Sequence, residues 1–171
     1  MPVLDSHSAS FHSTSTDSKP PIGKTKIFKE IFIILGVSDT LVAVNISEAI
    51  SSDNMDRLRG VLSEMNTTMA QFNSPFGNLL HITASFGSVG LLKKLIEQSG
   101  LNINSQTDQG STPLHVAARQ NRVEVVEFLM SLEGIDDTIR DLEGRTPLEC
   151  AKSRQVRNVI ECKNQFKIFF F

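Results

Sequence analysis

Histidine and cysteine are the side chains best suited to ligate a metal or to act as base and nucleophile near neutral pH. The 171-residue sequence holds four of the first and two of the second. His81 and His115 each follow a leucine, Leu80 and Leu114, and stand 34 residues apart. Two histidines alone do not complete a zinc shell; no acid or thiol accompanies them at that interval, and one interval further on the position holds Glu149. Cys150 and Cys162, separated by twelve positions, fit no CxxC spacing, and two cysteines are too few for a disulfide scaffold, so a reducing compartment is expected. Cys150 falls one interval after Val116, at an apolar position, and reads as a small buried hydrophobe, not a reactive thiol. Gly23-Lys24-Thr25 matches the end of a phosphate-binding loop, but Ser18 takes the place of its first glycine. No Ser-His-Asp or Cys-His pattern stands in motif context. The sequence therefore nominates no catalytic, cofactor-binding or metal-ligating residue, and a protein that is not an enzyme is expected.

The element that must position His115 is the stretch 110–129. A turn glycine opens it, Thr112 stands as an N-cap, and Pro113 takes the first helical position, where its missing N–H costs nothing. Leu114, Val116, Ala117 and Ala118 make a short inner helix; Val123, Val125, Val126, Phe128 and Leu129 make a second beyond the corner at 119–122. Neither helix buries its apolar face alone, so the unit needs a neighbour built like itself. The neighbours are in register. Stepping back 34 residues puts Leu80 under Leu114, Ala84 under Ala118, Val89 under Val123 and Leu95 under Leu129; stepping forward puts Thr146-Pro147-Leu148 on Thr112-Pro113-Leu114. Asn78 replaces threonine in the earlier copy and can still cap. Upstream, Ile46, Ala49 and Ile50 precede a turn at 51–54, and Met55, Leu58, Val61 and Leu62 follow it, with a polar linker at 66–74. In the last copy Lys152, Ser153, Arg154 and Gln155 replace apolar or small residues, as a water-facing end requires, while Val156, Val159 and Ile160 keep an inner face.

The period read three times, with TPLHVAA at 112–118, EVVEFL at 124–129, GLNIN at 100–104 and DLEGRTPL at 141–148, resembles the ankyrin repeat. That unit has about 33 residues, so each copy here carries one extra residue near the end of its outer helix, in LIEQSG and LMSLEG. The resemblance implies an all-α solenoid of stacked helix-turn-helix units over 45–171, divided into a degenerate first repeat (45–74), two repeats (75–108 and 109–142) and a closing repeat (143–171). It implies a structural role for the two histidines, bonded near the start of their own helix or to the adjacent repeat. It also implies a partner-binding face of loop tips and inner-helix positions, here Phe86, Gln109, Ser111, Arg119, Gln120, Arg122, Glu143, Arg145 and Lys152. Four of these are cations against the acid Glu143, which suits an acidic peptide or loop of a protein partner. Phe86 is either an exposed anchor for that partner or packs on the Pro75-Phe76 approach loop. A monomer is expected. The Gln120-Asn121-Arg122 corner with IDDTIRDLEG and LECAKS is also similar to the amino-terminal ankyrin module of the long fungal oxysterol-binding proteins, which implies docking at an organelle contact site.

Composition narrows the classes further. A net charge of −2 and a pI of about 6.1 give no general attraction to nucleic acid or to an anionic membrane. With no Trp or Tyr, a base-stacking platform would have to be built from phenylalanine alone. Residues 1–23 are rich in Ser and Thr, contain Pro20-Pro21 and show no apolar period, so a disordered tail is expected. They lack the basic start and apolar run of a signal peptide, which points to the cytoplasm and to unmodified sequons at Asn45 and Asn66. The apolar stretch within 24–44 is interrupted by Lys29, Glu30 and Asp39, short of the roughly 18 residues that span a bilayer. Ile27, Ile31 and Ile34 with Phe28, Phe32 and Leu35 predict a helix ended by Gly36 that caps the first repeat, with an exposed partner-binding helix or a peripheral membrane contact as the alternatives. The Phe169-Phe170-Phe171 end either folds back on the last repeat or leads into a longer chain.

Overall fold

A computed structural model describes residues 40–168, with side chains described from 41 to 162. The 1–23 tail, the 27–35 helix with its Gly36 stop, and Phe169, Phe170 and Phe171 lie outside the described residues. Eight helices follow in order among those described: α1 (Thr40–Ser51), α2 (Met55–Glu64), α3 (Leu79–Phe86), α4 (Val89–Ser99), α5 (Pro113–Arg119), α6 (Val123–Ser131), α7 (Pro147–Cys150) and α8 (Arg154–Ile168). The fold is all-α but for one small hairpin, β1 (Asn73–Ser74) and β2 (Gly77–Asn78), antiparallel with Asn73 opposite Asn78 and Ser74 opposite Gly77.

The helix starts are where the capping residues put them. Asn54 accepts the Arg57 N–H at 2.9 Å, and Asn78 accepts the Leu80 N–H at 3.0 Å. Thr112 and Thr146 cap α5 and α7, each with proline at the first helical position. The first three inner helices, α1, α3 and α5, then turn sharply into their outer partners through one left-handed residue, and these recur at the 34-residue interval: Asp53, Gly87 and Asn121. Glycine adopts that conformation without penalty, and Asp and Asn tolerate it because a short polar side chain can bond locally. The side chains at two of these corners also hold the next unit. Asp53 Oδ1 accepts the Leu91 N–H in the first turn of α4 at 3.0 Å, and Asn121 Oδ1 accepts from the Ser153 hydroxyl, at the start of α8. Gly87 has no side chain, and there Arg122 reaches back to donate from Nε to the Ser85 carbonyl at 2.8 Å.

Packing follows from these corners. α3 lies on α5 and α5 on α7, the outer helices α4, α6 and α8 stack alongside, and α1 with α2 closes the near end onto α3. Leu80 and Leu114 are buried and Leu148 half-buried along the common interior, with Ile46, Ile50, Leu58 and Leu62 filling the first unit. Burial of each such side chain contributes about 1.5–3 kcal/mol. Beyond the outer helices the loops are also in register: Asn104 donates to the Gly134 carbonyl at 2.7 Å and accepts the Asp136 N–H at 3.0 Å.

Three local features depart from the sequence reading. α1, described from Thr40, carries Val42 and Ala43 on one apolar face with Ile46 and Ile50, whereas the sequence reading starts the first repeat at 45. The 66–74 segment, polar in composition, places Phe72 in the core and packs Met69 against it. α7 is a single turn, because Ala151 is extended and Ser153 then caps α8 by accepting the Val156 N–H at 3.2 Å. No helix of the described residues is long and apolar enough to cross a membrane.

Candidate partner-binding groove

Both histidines lie inside the stack, where they tie one repeat to the next. His115 is fully buried, accepts the Thr112 N–H at Nδ1 (3.1 Å) and donates from Nε2 to the Arg145 carbonyl of the next repeat at 3.0 Å. Its tautomer is thereby settled, and burial lowers its pKa. His81 Nε2 faces the carbonyls of Ser105 and Ser111, each at 3.0 Å, and so carries the proton. Its Nδ1 lies 2.9 Å from Asn78 Oδ1, which already accepts the Leu80 N–H, and a bond between the two would need a doubly protonated ring. Burial opposes that second proton and outweighs the pull of the Ser111 and Ser105 carbonyls, leaving a pKa of about 4. Among the described residues no group of three or more His, Cys, Asp and Glu is placed to hold a metal.

The charges of the fourth repeat centre on Asp141, an acid that the charge balance read from the sequence did not include. Its side chain is 2% exposed, and its Oδ1 accepts the backbone N–H groups of Glu143 and Arg145 at 3.0 and 2.9 Å. Its Oδ2 accepts from Arg145 Nε and Nη2 at 3.2 and 3.0 Å and lies 3.5 Å from Arg119 Nη2. Burial pushes the carboxyl up, but the Arg145 backbone N–H and guanidinium together hold it at about 2. Cys150 packs beside this cluster, with Sγ 3.6 Å from Asp141 Oδ2; burial raises its pKa, so the thiol stays protonated as expected of a core residue.

Above this interior a groove of roughly 450 Å³ runs between the turn tips and the inner helices of the second and third repeats. Phe76 on the tip of the hairpin, Ile82 and Val116 of the inner helices, and Arg119 and Gln120 at the end of α5 all line it. Of the residues nominated from sequence, Gln109, Ser111, Arg119 and Gln120 line it. Ser111 was expected to point outward and does not. It is 3% exposed, since its carbonyl receives His81 and its hydroxyl receives Arg119 Nη2 at 3.1 Å. Arg145 and Glu143 sit together on the third tip, paired at 2.7 Å. Arg122 lies at the corner on Ser85, and Lys152 is exposed in the last repeat, both outside the groove lining. Phe86 is half-buried and packs against the core instead of standing free.

Three large apolar side chains stand out among the described residues: Leu41 in α1 at 66% exposure, and two on the tips, Phe76 at 43% and Leu142 at 74%. Leu142 had a signal in the sequence: it occupies the turn position held by Asp108 one interval earlier, where an apolar residue has no folding role. Phe76 shares its interval with the turn glycines Gly110 and Gly144.

A family model describing ankyrin repeats in three copies matches residues 69–162, more than half of the chain. The match takes in the hairpin, the groove and both bridging histidines. The chain belongs to the ankyrin-repeat family.

Proposed function

We propose that this chain is a non-enzymatic protein-interaction module that takes its partner on the concave face and turn tips of the stack. The observation that carries the reading is the exposure of Phe76 and Leu142 on the first and third tips, two of the three large apolar side chains left exposed among the described residues and the two that share one face of the stack. Covering such side chains is what anchors interfaces. The tips are held by bonds between repeats: the Leu142 N–H donates to the Gln109 carbonyl at 3.0 Å, and the histidines fasten the turns beneath. Little ordering entropy is lost when such a surface binds. An acidic peptide or loop remains the partner class this face favours, but Arg145 is occupied by Asp141 and Glu143, which leaves half-exposed Arg119 as the cation of the groove. Recruitment to an organelle contact site, as in the fungal module, would depend on the partner's own location.

Proximity labelling in the native cell tests the reading, with the full chain compared against the Phe76→Ala, Leu142→Ala double variant. The expected result is loss of a defined set of neighbours at an unchanged melting temperature. An identical set of neighbours in both would rule this face out as the interface.

A further inference from the structure

We infer that the groove between Phe76 and Arg119 is a subsite for an apolar side chain with a carboxylate close by in the same extended peptide. The inference rests on the concave face being the partner-binding face. Its volume, about 450 Å³, lies in the range of small-ligand pockets and holds one large side chain with a short run of backbone. Ile82 and Val116 form its apolar floor, and Phe76 offers a ring that the fold leaves 43% exposed at its rim.

Electrostatics select the neighbour of that apolar side chain. No Asp or Glu lines the groove, whereas Arg119 does. Asp141 lies within the same cluster but is committed to Arg145, which it meets through both Nε and Nη2 at 3.2 and 3.0 Å, while Arg119 stands at 3.5 Å. Glu143 also pairs with Arg145. The side-chain contacts of Arg119 all pass through Nη2, to Ser111, Asp141 and Cys150. Its Nε and Nη1 donors, on opposite sides of the guanidinium, remain for a ligand, and either gives a carboxylate one charge-assisted hydrogen bond. Exposed Gln109 and Gln120 flank the site with amides suited to peptide backbone. A basic peptide would meet the like charge of Arg119 there, which Asp141, shared with Arg145, offsets only in part.

The test pans a phage-displayed library of random peptides against the full chain and measures the enriched sequences by fluorescence polarisation. Enriched peptides are expected to pair Phe, Leu, Ile or Met with a nearby Asp or Glu, and replacing that acid by its amide should weaken binding about tenfold. Gln120→Glu sets a carboxylate beside Arg119 without removing any bond of the fold, and Phe76→Ala removes only the exposed ring. Each should weaken binding several-fold with the melting curve unchanged. Basic enriched peptides, or peptides indifferent to both variants, would overturn the subsite and leave the wider interaction reading intact. A library that enriches nothing would also overturn it, and the Phe76 and Leu142 labelling comparison then decides separately whether the face binds protein.

Discussion

Glu149 occupies in α7 the position that His115 occupies in α5, and both accept the backbone N–H of the threonine that caps their helix, at 2.7 Å from Thr146 and 3.1 Å from Thr112. The shared requirement is an acceptor at the third helical position that closes a reciprocal capping box. What differs is the far side: the His115 ring also reaches the Arg145 carbonyl of the next repeat, whereas the Glu149 carboxylate is met by Arg140. His115→Ala should therefore cost about 2–4 kcal/mol, through the lost cap, the orphaned Arg145 carbonyl and the cavity left behind. Glu149→Ala, at an exposed site, should cost clearly less. Urea denaturation of the two variants side by side checks the order, and equal losses would contradict the bridging role.

The buried imidazoles make the fold acid-sensitive above the usual carboxylate range. His81 titrates near its ordinary 6.5 when unfolded but at about 4 when folded, so the unfolded chain binds its proton first as the pH falls. Its stabilising contribution is complete above pH 6.5 and is lost progressively down to pH 4, by up to about 3 kcal/mol. Asp141, held at about 2 against an ordinary 3.8, acts in a lower window: its contribution is present above pH 3.8 and fades toward pH 2. The urea midpoint measured from pH 7 to pH 4 should fall in the wild type and fall less in His81→Gln. A flat profile between those values would refute the burial argument.

Asp141→Asn should destabilise by about 2 kcal/mol, less than for a wholly buried ion pair because the Arg119 and Arg145 side chains are 36% and 39% exposed. For the same reason, replacing Arg119 and Arg145 by glutamate cannot serve as a clean surface test. The double charge reversal would set two acids against buried Asp141, and the melting temperature should drop together with binding. Calorimetry on both variants provides the check.

Thr83 has a fully buried hydroxyl without a hydrogen-bond partner, on the face where the next copy has Ala117. A buried polar atom left unpaired is a cost, of about 1–3 kcal/mol. Thr83→Ala should be neutral or raise stability by about 1 kcal/mol despite removing a methyl group. A loss of more than that on thermal melting would mean the hydroxyl has a native partner.

Two glycines should respond to alanine in opposite directions. Gly60 lies in the middle of α2 with open space around its missing side chain, so Gly60→Ala should stabilise by about 0.5–1 kcal/mol. Gly87 is left-handed at φ +87°, and a Cβ there would stand 3.1 Å from Arg122 Cδ, so Gly87→Ala should destabilise by more than about 1 kcal/mol. Chemical denaturation separates the two cases by sign.

The repeat itself was legible because it is local and periodic. Thr112-Pro113-Leu114 and Thr146-Pro147-Leu148 carry their caps and first turns within a few residues, and the apolar positions of α2, α4 and α6 are set by helical spacing, so the amino-acid order by itself determined the units, their register and their stacking. The face they present was decided only by tertiary structure. Ser111 reads as an exposed turn serine until its carbonyl is seen to receive a histidine 30 residues earlier, and Arg119 and Arg145 read as free cations until the turn of the fourth repeat brings Asp141 between them. Whether a polar side chain is spent on its own fold or left for a partner depends on which neighbours the stack delivers to it, and no local pattern carries that distance.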